Sequence, residues 1–276
     1  MNWGRFITLD AFRHIVSNRR WLLPFPLMLL VTCLETATII NRADTTSVKA
    51  NAWDVVFSLL GNHFLLFLVM NPLFIYLICG LLPEDSFGES MVLRLTSRSH
   101  WWVGKLMTLV LSLLCYLAMF VVTIAVVTSF VLPWAQQWSE GAERFPTAYY
   151  LNPSIIERSP FVAALQLICL LSLGWLCLGL TALTTIQHYQ RSIGGFLAGV
   201  LINLSGLAAS RADVPYPYSL LFIDQHLLLN QQAFGNASSM SSSLTVSITY
   251  WLIWVLLLFG LGWRFSNQIN FAHLGD

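Results

Sequence analysis

Charge is what this chain has least of. Only 10% of its 276 residues are Asp, Glu, Lys or Arg, against roughly a quarter in an ordinary soluble domain, so polar surface is too scarce to cover a water-soluble globule. The formal net charge of +1 excludes a generally basic nucleic-acid binder, because holding phosphates takes a concentrated excess of Lys and Arg. Cysteine chemistry is equally thin. Cys33, Cys79, Cys115, Cys169 and Cys177 all lie in apolar stretches, with no CxxC pair and no His at zinc spacing. A Walker A loop is missing too: the one Gly-Lys pair, Gly104-Lys105, has no Gly five positions earlier and is followed by Leu106. The chain therefore has no means of hydrolysing ATP alone. There is no HExxH or dinucleotide glycine motif, and Ser205-Gly206 lacks the flanking pattern of a serine nucleophile. The first twenty residues carry Arg5, Asp10, Arg13, Arg19 and Arg20 without an uninterrupted apolar run, so no cleaved signal peptide is expected and the first span should serve as the targeting signal.

What is present is apolar: 57% of residues are hydrophobic and the mean hydropathy is +0.69. A membrane-spanning helix needs roughly 20 such residues in a row. Six stretches qualify, from Trp21 to Ile40, Val55 to Leu82, Leu106 to Leu132, Phe161 to Ile186, Ile193 to Ala209 and Leu244 to Trp263. In the fifth and shortest, Asn203, Ser205 and Gly206 offer a place for the helix to break. An N-terminus in the cytoplasm puts Arg5, Arg13, Arg19, Arg20, Arg94, Arg98, Lys105, Arg191 and Arg264 inside, against Arg42, Lys49, Arg144, Arg158 and Arg211 outside. That bias favours both termini in the cytoplasm. Trp101, Trp102, Trp134, Trp138 and Trp263 stand where an interfacial aromatic belt is expected.

The fold class read from this pattern is all-α: a polytopic membrane protein of about six transmembrane helices, with residues 1–20 as an amphipathic surface helix and 21–276 as the membrane domain. In the first part, Phe6, Leu9, Phe12 and Val16 share a helix face opposite Asp10, Arg13, His14 and Ser17. The alternative is a helical extension of the first span, against which Pro24 and Pro26 argue for a bend. Between the second and third spans, Ser86 and Glu89 form a capping box, and Phe87, Met91, Val92 and Leu95 follow at helical spacing. This short amphipathic helix either packs on headgroups and the chain's own helices or docks into a groove on a partner. Two long outer segments remain. Residues 133–160 are rich in Trp, Tyr and Glu, and Ser219 to Phe234 carry an apolar run too short to span, which reads as interfacial or re-entrant.

Glu35 is the one carboxylate well inside a span, where charge costs at least ~2.5 kcal/mol unless paired or solvated. Helical rise puts it about 7–8 Å below the outer boundary and His63 about 12 Å below the start of the second span, close enough to meet. Asn62, Asn71 and Gln166 add polarity nearby. These five residues are candidates for a substrate path; the alternative is that they make interhelical hydrogen bonds of about 0.6 kcal/mol each.

The order of parts resembles the membrane subunit of a type-2 ABC exporter. The similarity covers nearly the whole chain: a basic amphipathic N-terminal helix, six spans, a cytoplasmic loop after the second, and a half-membrane helical element before the sixth. The nearest local match is the loop, where Glu84, Asp85, Gly88 and Glu89 precede Leu93, Ser97, Arg98, Trp101, Gly104 and Lys105. The long segment 133–160 departs from the family pattern. The resemblance implies that Ser86, Phe87, Gly88, Glu89, Met91, Val92 and Leu95 form a coupling helix seated in a separate ATP-binding subunit. It also implies that ATP and Mg are bound by that subunit and not by this chain, and that a second permease subunit, identical or not, completes the path through the lipid bilayer. Two other classes fit the residues. One is an intramembrane enzyme using the surroundings of Glu35, His63 and His226, and the other a scaffold or immunity protein that sequesters a toxic peptide.

Overall fold

All but one of the long apolar runs become single helices, and three of these start on a proline or a hydroxyl cap. The computed structural model describes residues 3–84, 88, 95, 97–212, 214, 217–228, 232–233 and 242–268. Helix α1 (Trp3–Ala11) continues into one π-helical turn, Phe12–Val16. Helix α2 (Pro24–Thr46) starts on a proline at its first position, where the missing N–H costs nothing. Helices α3 (Ala52–Gly61) and α4 (His63–Ile78) follow. Ser97 caps α5 (Arg98–Ser129) by accepting from the His100 N–H, and Ser159 caps α6 (Pro160–Tyr189) by accepting from that of Val162. Helices α7 (Ser192–Arg211) and α8 (Leu244–Gln268) complete the set. Apart from a two-residue pairing of Gln232–Ala233 with Ser242–Ser243, the regular structure among the described residues is helical. Among the described residues, five helices are long and apolar enough to cross a membrane: α2 with the turn before it, α5, α6, α7 and α8.

The second apolar run is one helix in the sequence pattern and two in the structure. Asn62 takes an extended conformation and its side chain accepts from the N–H groups of Phe64 and Leu65, so it ends α3 and caps α4. The two axes differ by 56°. Within α4 the stretch Leu66–Met70 is a π-turn, in which each N–H reaches back five residues. Pro72 has no N–H for the Phe67 carbonyl. Asn203 of α7 supplies one instead, its Nδ2 donating to Phe67 O at 2.5 Å. Helix α7 itself runs unbroken through Asn203, Ser205 and Gly206. The break belongs to the second run because the fifth uses its Asn across helices, and Gly206 makes room there for Ile223.

Helix α6 is the axis of the bundle and packs against α3, α4, α5, α7 and α8, while α2 lies on α3 and α5. Its Gly174 receives Leu227 and Trp251, contacts that a Cβ would block. Leu227 comes from the segment expected to form a half-membrane helix over Ser219–Phe234. Its described residues make only a 3-10 turn, Tyr218–Leu221, and one helical turn, Asp224–Leu227. Their polar groups go to neighbours instead: His226 faces Ser247 Oγ at 2.9 Å and the Leu220 carbonyl at 2.8 Å, and Trp251 donates to the His226 carbonyl. Residues 229–231 and 234–241 lie outside the described set.

Helix α1 turns Asp10 and His14 inward, and with them Phe6, which the helical spacing groups with Leu9, Phe12 and Val16 on the other face. Phe6, Asp10 and His14 are buried against the bundle, while Phe12 at 58% and Val16 at 67% exposure point away from it. A soluble helix does the reverse. This orientation fits apolar surroundings, and the bend at Ser17 and Asn18 shows that α1 is not an extension of α2. Three tryptophans expected in an interfacial belt are internal: Trp101 and Trp102 are buried, the latter against Gly262 of α8, and Trp138 donates to the Arg158 carbonyl. Trp134 and Trp263 are exposed.

Candidate functional site

Among the described residues, buried charge is concentrated where α1, Glu84 and the first turns of α5 meet. Gly104 lets this happen: a Cβ there would overlap the Phe6 ring, so only glycine admits α1 this close to α5. One turn of helix places Lys105 and Thr108 opposite Asp10. Lys105, fully buried, donates from Nζ to Asp10 Oδ1 at 2.7 Å and to the Leu81 carbonyl at 3.3 Å, and pairs with Glu84 Oε1 at 2.8 Å. Thr108 Oγ1 donates to the other Asp10 oxygen at 2.7 Å, and His14 Nε2 stands 3.3 Å from Oδ1. Trp101 Nε1 donates to Glu84 Oε1 at 2.8 Å. Burial alone would raise the Asp10 carboxyl, but the Lys105 ammonium and His14 hold it well below the ordinary carboxylate range.

Three pieces of chain far apart in sequence are thereby tied around one ammonium. Further bonds extend the tie. Ser192 Oγ at the start of α7 donates to the Leu82 carbonyl at 3.0 Å, Arg98 reaches the Asn267 carbonyl at 2.8 Å, and Arg20 reaches that of Tyr76 at 3.1 Å. Of the seven loop residues expected to contact an ATPase, Gly88 is described and buried, and Leu95 is half-buried against the core. Ser86, Phe87, Glu89, Met91 and Val92 lie outside the described residues. The contact around Lys105 was not foreseen from sequence; its signal was two ionisable residues, Asp10 and Lys105, beside long apolar runs.

The five expected path residues are distributed over separate surroundings. Glu35, half-buried on α2, accepts a hydrogen bond from Ser58 of α3 and makes no hydrogen bond or ion pair with His63. Asn62 is committed as a cap. Asn71 is fully buried between α4, α6 and α7, donating to Asn203 Oδ1 at 2.6 Å and accepting from Trp175 Nε1 at 2.7 Å. Gln166 on α6 has a buried Oε1 without a partner among the described residues. His226 lies between α6, α7 and α8, its ring committed to Ser247 Oγ and the Leu220 carbonyl. No group of three or more His, Cys, Asp or Glu side chains suited to a metal occurs among the described residues.

At the other end of α5, residues 133–160 fold over the tops of α2 and α3. Asn51 caps α3 with Asp54 in a reciprocal capping box, and Asp54 also accepts from Ser139 Oγ at 2.7 Å. Arg42 donates to the Ala148 carbonyl at 2.6 Å and lies over the Tyr149 ring. Tyr150 adopts a left-handed conformation, φ 57°, and fills the break in the second run, where a Cβ on Gly61 would stand 2.8 Å from its own Cβ. The segment is thus seated on the point where the second run bends.

No protein-family model, curated protein or solved structure matches this chain. The functional reading therefore rests on residues and geometry.

Proposed function

We propose that this chain is the membrane permease subunit of a type-2 ABC exporter, moving an amphipathic or lipid-linked substrate out of the cell by alternating access. In this reading α3 and α4 together form one bent span, so that the chain crosses the membrane six times with both termini in the cytoplasm. Hydrolysis belongs to a separate ATP-binding subunit, and a second permease subunit completes the path. The observation that carries the reading is the junction at Lys105. A subunit without a nucleotide site must receive force through a contact, and here the start of the loop after the second span is joined by buried charge to α1 and α5. A push on that loop moves three elements together instead of dissipating in a slack connection.

The test is purification of the tagged full chain from its native membranes. The wild type should bring down a subunit bearing a Walker A loop, and Met91→Asp with Val92→Asp should lose it while the permease stays inserted and folded, since a charge placed in an apolar contact is costly. Leu95 is left intact because it packs on this chain's own core. A double variant that keeps a fully coupled ATPase, or a wild type that brings down none, overturns the assignment.

Glu35 supplies a second expectation. Glu35→Gln keeps an acceptor for Ser58 and should preserve both folding and transport, whereas Glu35→Leu leaves Ser58 without that partner and should lower transport per folded protein. Equal transport by both variants removes Glu35 from the path.

A further inference from the structure

Beneath the folded segment 133–160 lies an apolar cavity of about 160 Å³, bounded by α3, α5, α6 and Trp134. We propose that it holds an acyl chain of a bilayer phospholipid. The proposal rests on reading these helices as membrane spans and is independent of what the protein transports.

The cavity is roofed by two indoles whose positions are fixed. Trp53 and Trp134 meet edge to face, ring centres 4.9 Å apart at 88°, and each N–H is satisfied: Trp53 donates to the Ala135 carbonyl at 2.7 Å and Trp134 to Ser129 Oγ at 2.9 Å. Below them the walls are aliphatic or aromatic, from Val56 and Leu60 on one side to Ile124 and Ala164 on the other. Among the described residues, no charged side chain lines it. Water entering such a space would find almost nothing to bond. An apolar cavity of about 150 Å³ stays dry and takes up a hydrocarbon guest.

The surroundings identify the guest. On the open side stand Val121 of α5 and Phe161 and Leu165 of α6, all exposed and all apolar. In a spanning bundle these side chains face hydrocarbon, so the medium at the opening is lipid tails at very high local concentration. The roof has the chemistry of the interfacial belt, with indoles apolar on one face and hydrogen-bonded at the edge. A lipid with its headgroup level with Trp134 would run one chain down past Phe161, Ala164 and Ile168, about two turns of α6, or roughly 10 Å. That chain would wedge α6 against α3 directly below the seat of segment 133–160, so that the lipid becomes part of the packing that holds the segment in place.

The full chain, reconstituted in phosphatidylcholine vesicles containing a small fraction of phosphatidylcholine with a diazirine on one acyl chain, is irradiated and its adducts mapped by mass spectrometry. Residues 121–125 and 161–168 should carry several-fold more adduct per residue than the exposed stretch of α8 read at Leu252, Ile253, Leu256 and Leu257. Ala164→Phe fills the cavity and should bring the two stretches level; should that variant misfold, Ala125→Leu narrows the same space from α5 and should act in the same direction. Equal labelling of both stretches in the wild type overturns the site while leaving the spans intact, and an excess that persists in a folded filled variant does the same. Absence of adduct at both stretches overturns the spanning reading itself. Benzoylphenylalanine placed at Phe161 should capture lipid; a chain-to-chain product in its place would give the cavity to a second copy.

Discussion

Replacing Lys105 with Met will release α1 from the bundle. The substitution keeps most of the side-chain volume but leaves the Asp10 and Glu84 carboxylates facing each other with the ammonium gone. Removing one partner of a buried ion pair costs about 3–5 kcal/mol, because the charge left behind is uncompensated. Thermal unfolding of the purified protein should show the loss, and limited trypsin digestion should newly cut at Arg13. The triple variant Lys105→Met, Asp10→Asn and Glu84→Gln should regain much of the stability, since no buried charge then remains. A stable single variant, or a triple variant no better than the single, would show that the three groups do not act as a unit. The same junction has a defined response to acid. Asp10 titrates below its ordinary value near 3.8 in the folded chain, so its contribution is fully present above that value and is lost as pH falls through the lower folded one. Hydrogen exchange of the α1 amides, normalised to the unfolded chain at each pH, should therefore be unchanged between neutral pH and about pH 5 and rise only in stronger acid.

Trp175→Ala will cost more than any other single truncation in the core, about 3–5 kcal/mol. Trp175 is fully buried on α6, stacks on Phe74 of α4 at 5.9 Å, meets Tyr116 of α5 edge-on at 5.0 Å, and donates to Asn71 at 2.7 Å. Truncation opens a cavity at the junction of three helices and strips Asn71 Oδ1 of its donor. Trp175→Phe separates the two effects. It retains ring packing and loses only the N–H, for an expected cost of about 1–3 kcal/mol, although pairwise couplings measured within membranes average nearer 0.6 kcal/mol. Unfolding midpoints of the two variants in the same detergent check the order. If Phe is as damaging as Ala, the hydrogen bond to Asn71 outweighs the packing.

The long helices were legible because an apolar run of this length admits one backbone solution in hydrocarbon. The runs expected from Trp21, Leu106 and Phe161 are helices that begin at Pro24, Arg98 and Pro160, on a proline or a hydroxyl cap that run length alone does not mark. The amphipathy of α1 was legible as well, but which face meets the protein was not, since a helical pattern gives two faces and only the surroundings decide which is inside. The path residues show the same limit. Glu35 and His63 stand at depths that allow contact, yet depth along a helix axis says nothing of rotation about it, and Glu35 is turned to Ser58.

By itself the amino-acid sequence determined that this chain is built mainly of long apolar helices, because composition and run length decide how backbone and side chains partition between water and hydrocarbon. Only the tertiary structure decided where charge and polarity are used. It set Lys105 between Asp10 and Glu84, 95 and 21 residues away, gave the Phe67 carbonyl to Asn203, and folded segment 133–160 onto the break at Asn62. Such pairings depend on how rigid helices pack side by side, and that packing is fixed by small residues such as Gly104 and Gly174 whose contacts lie far away along the chain.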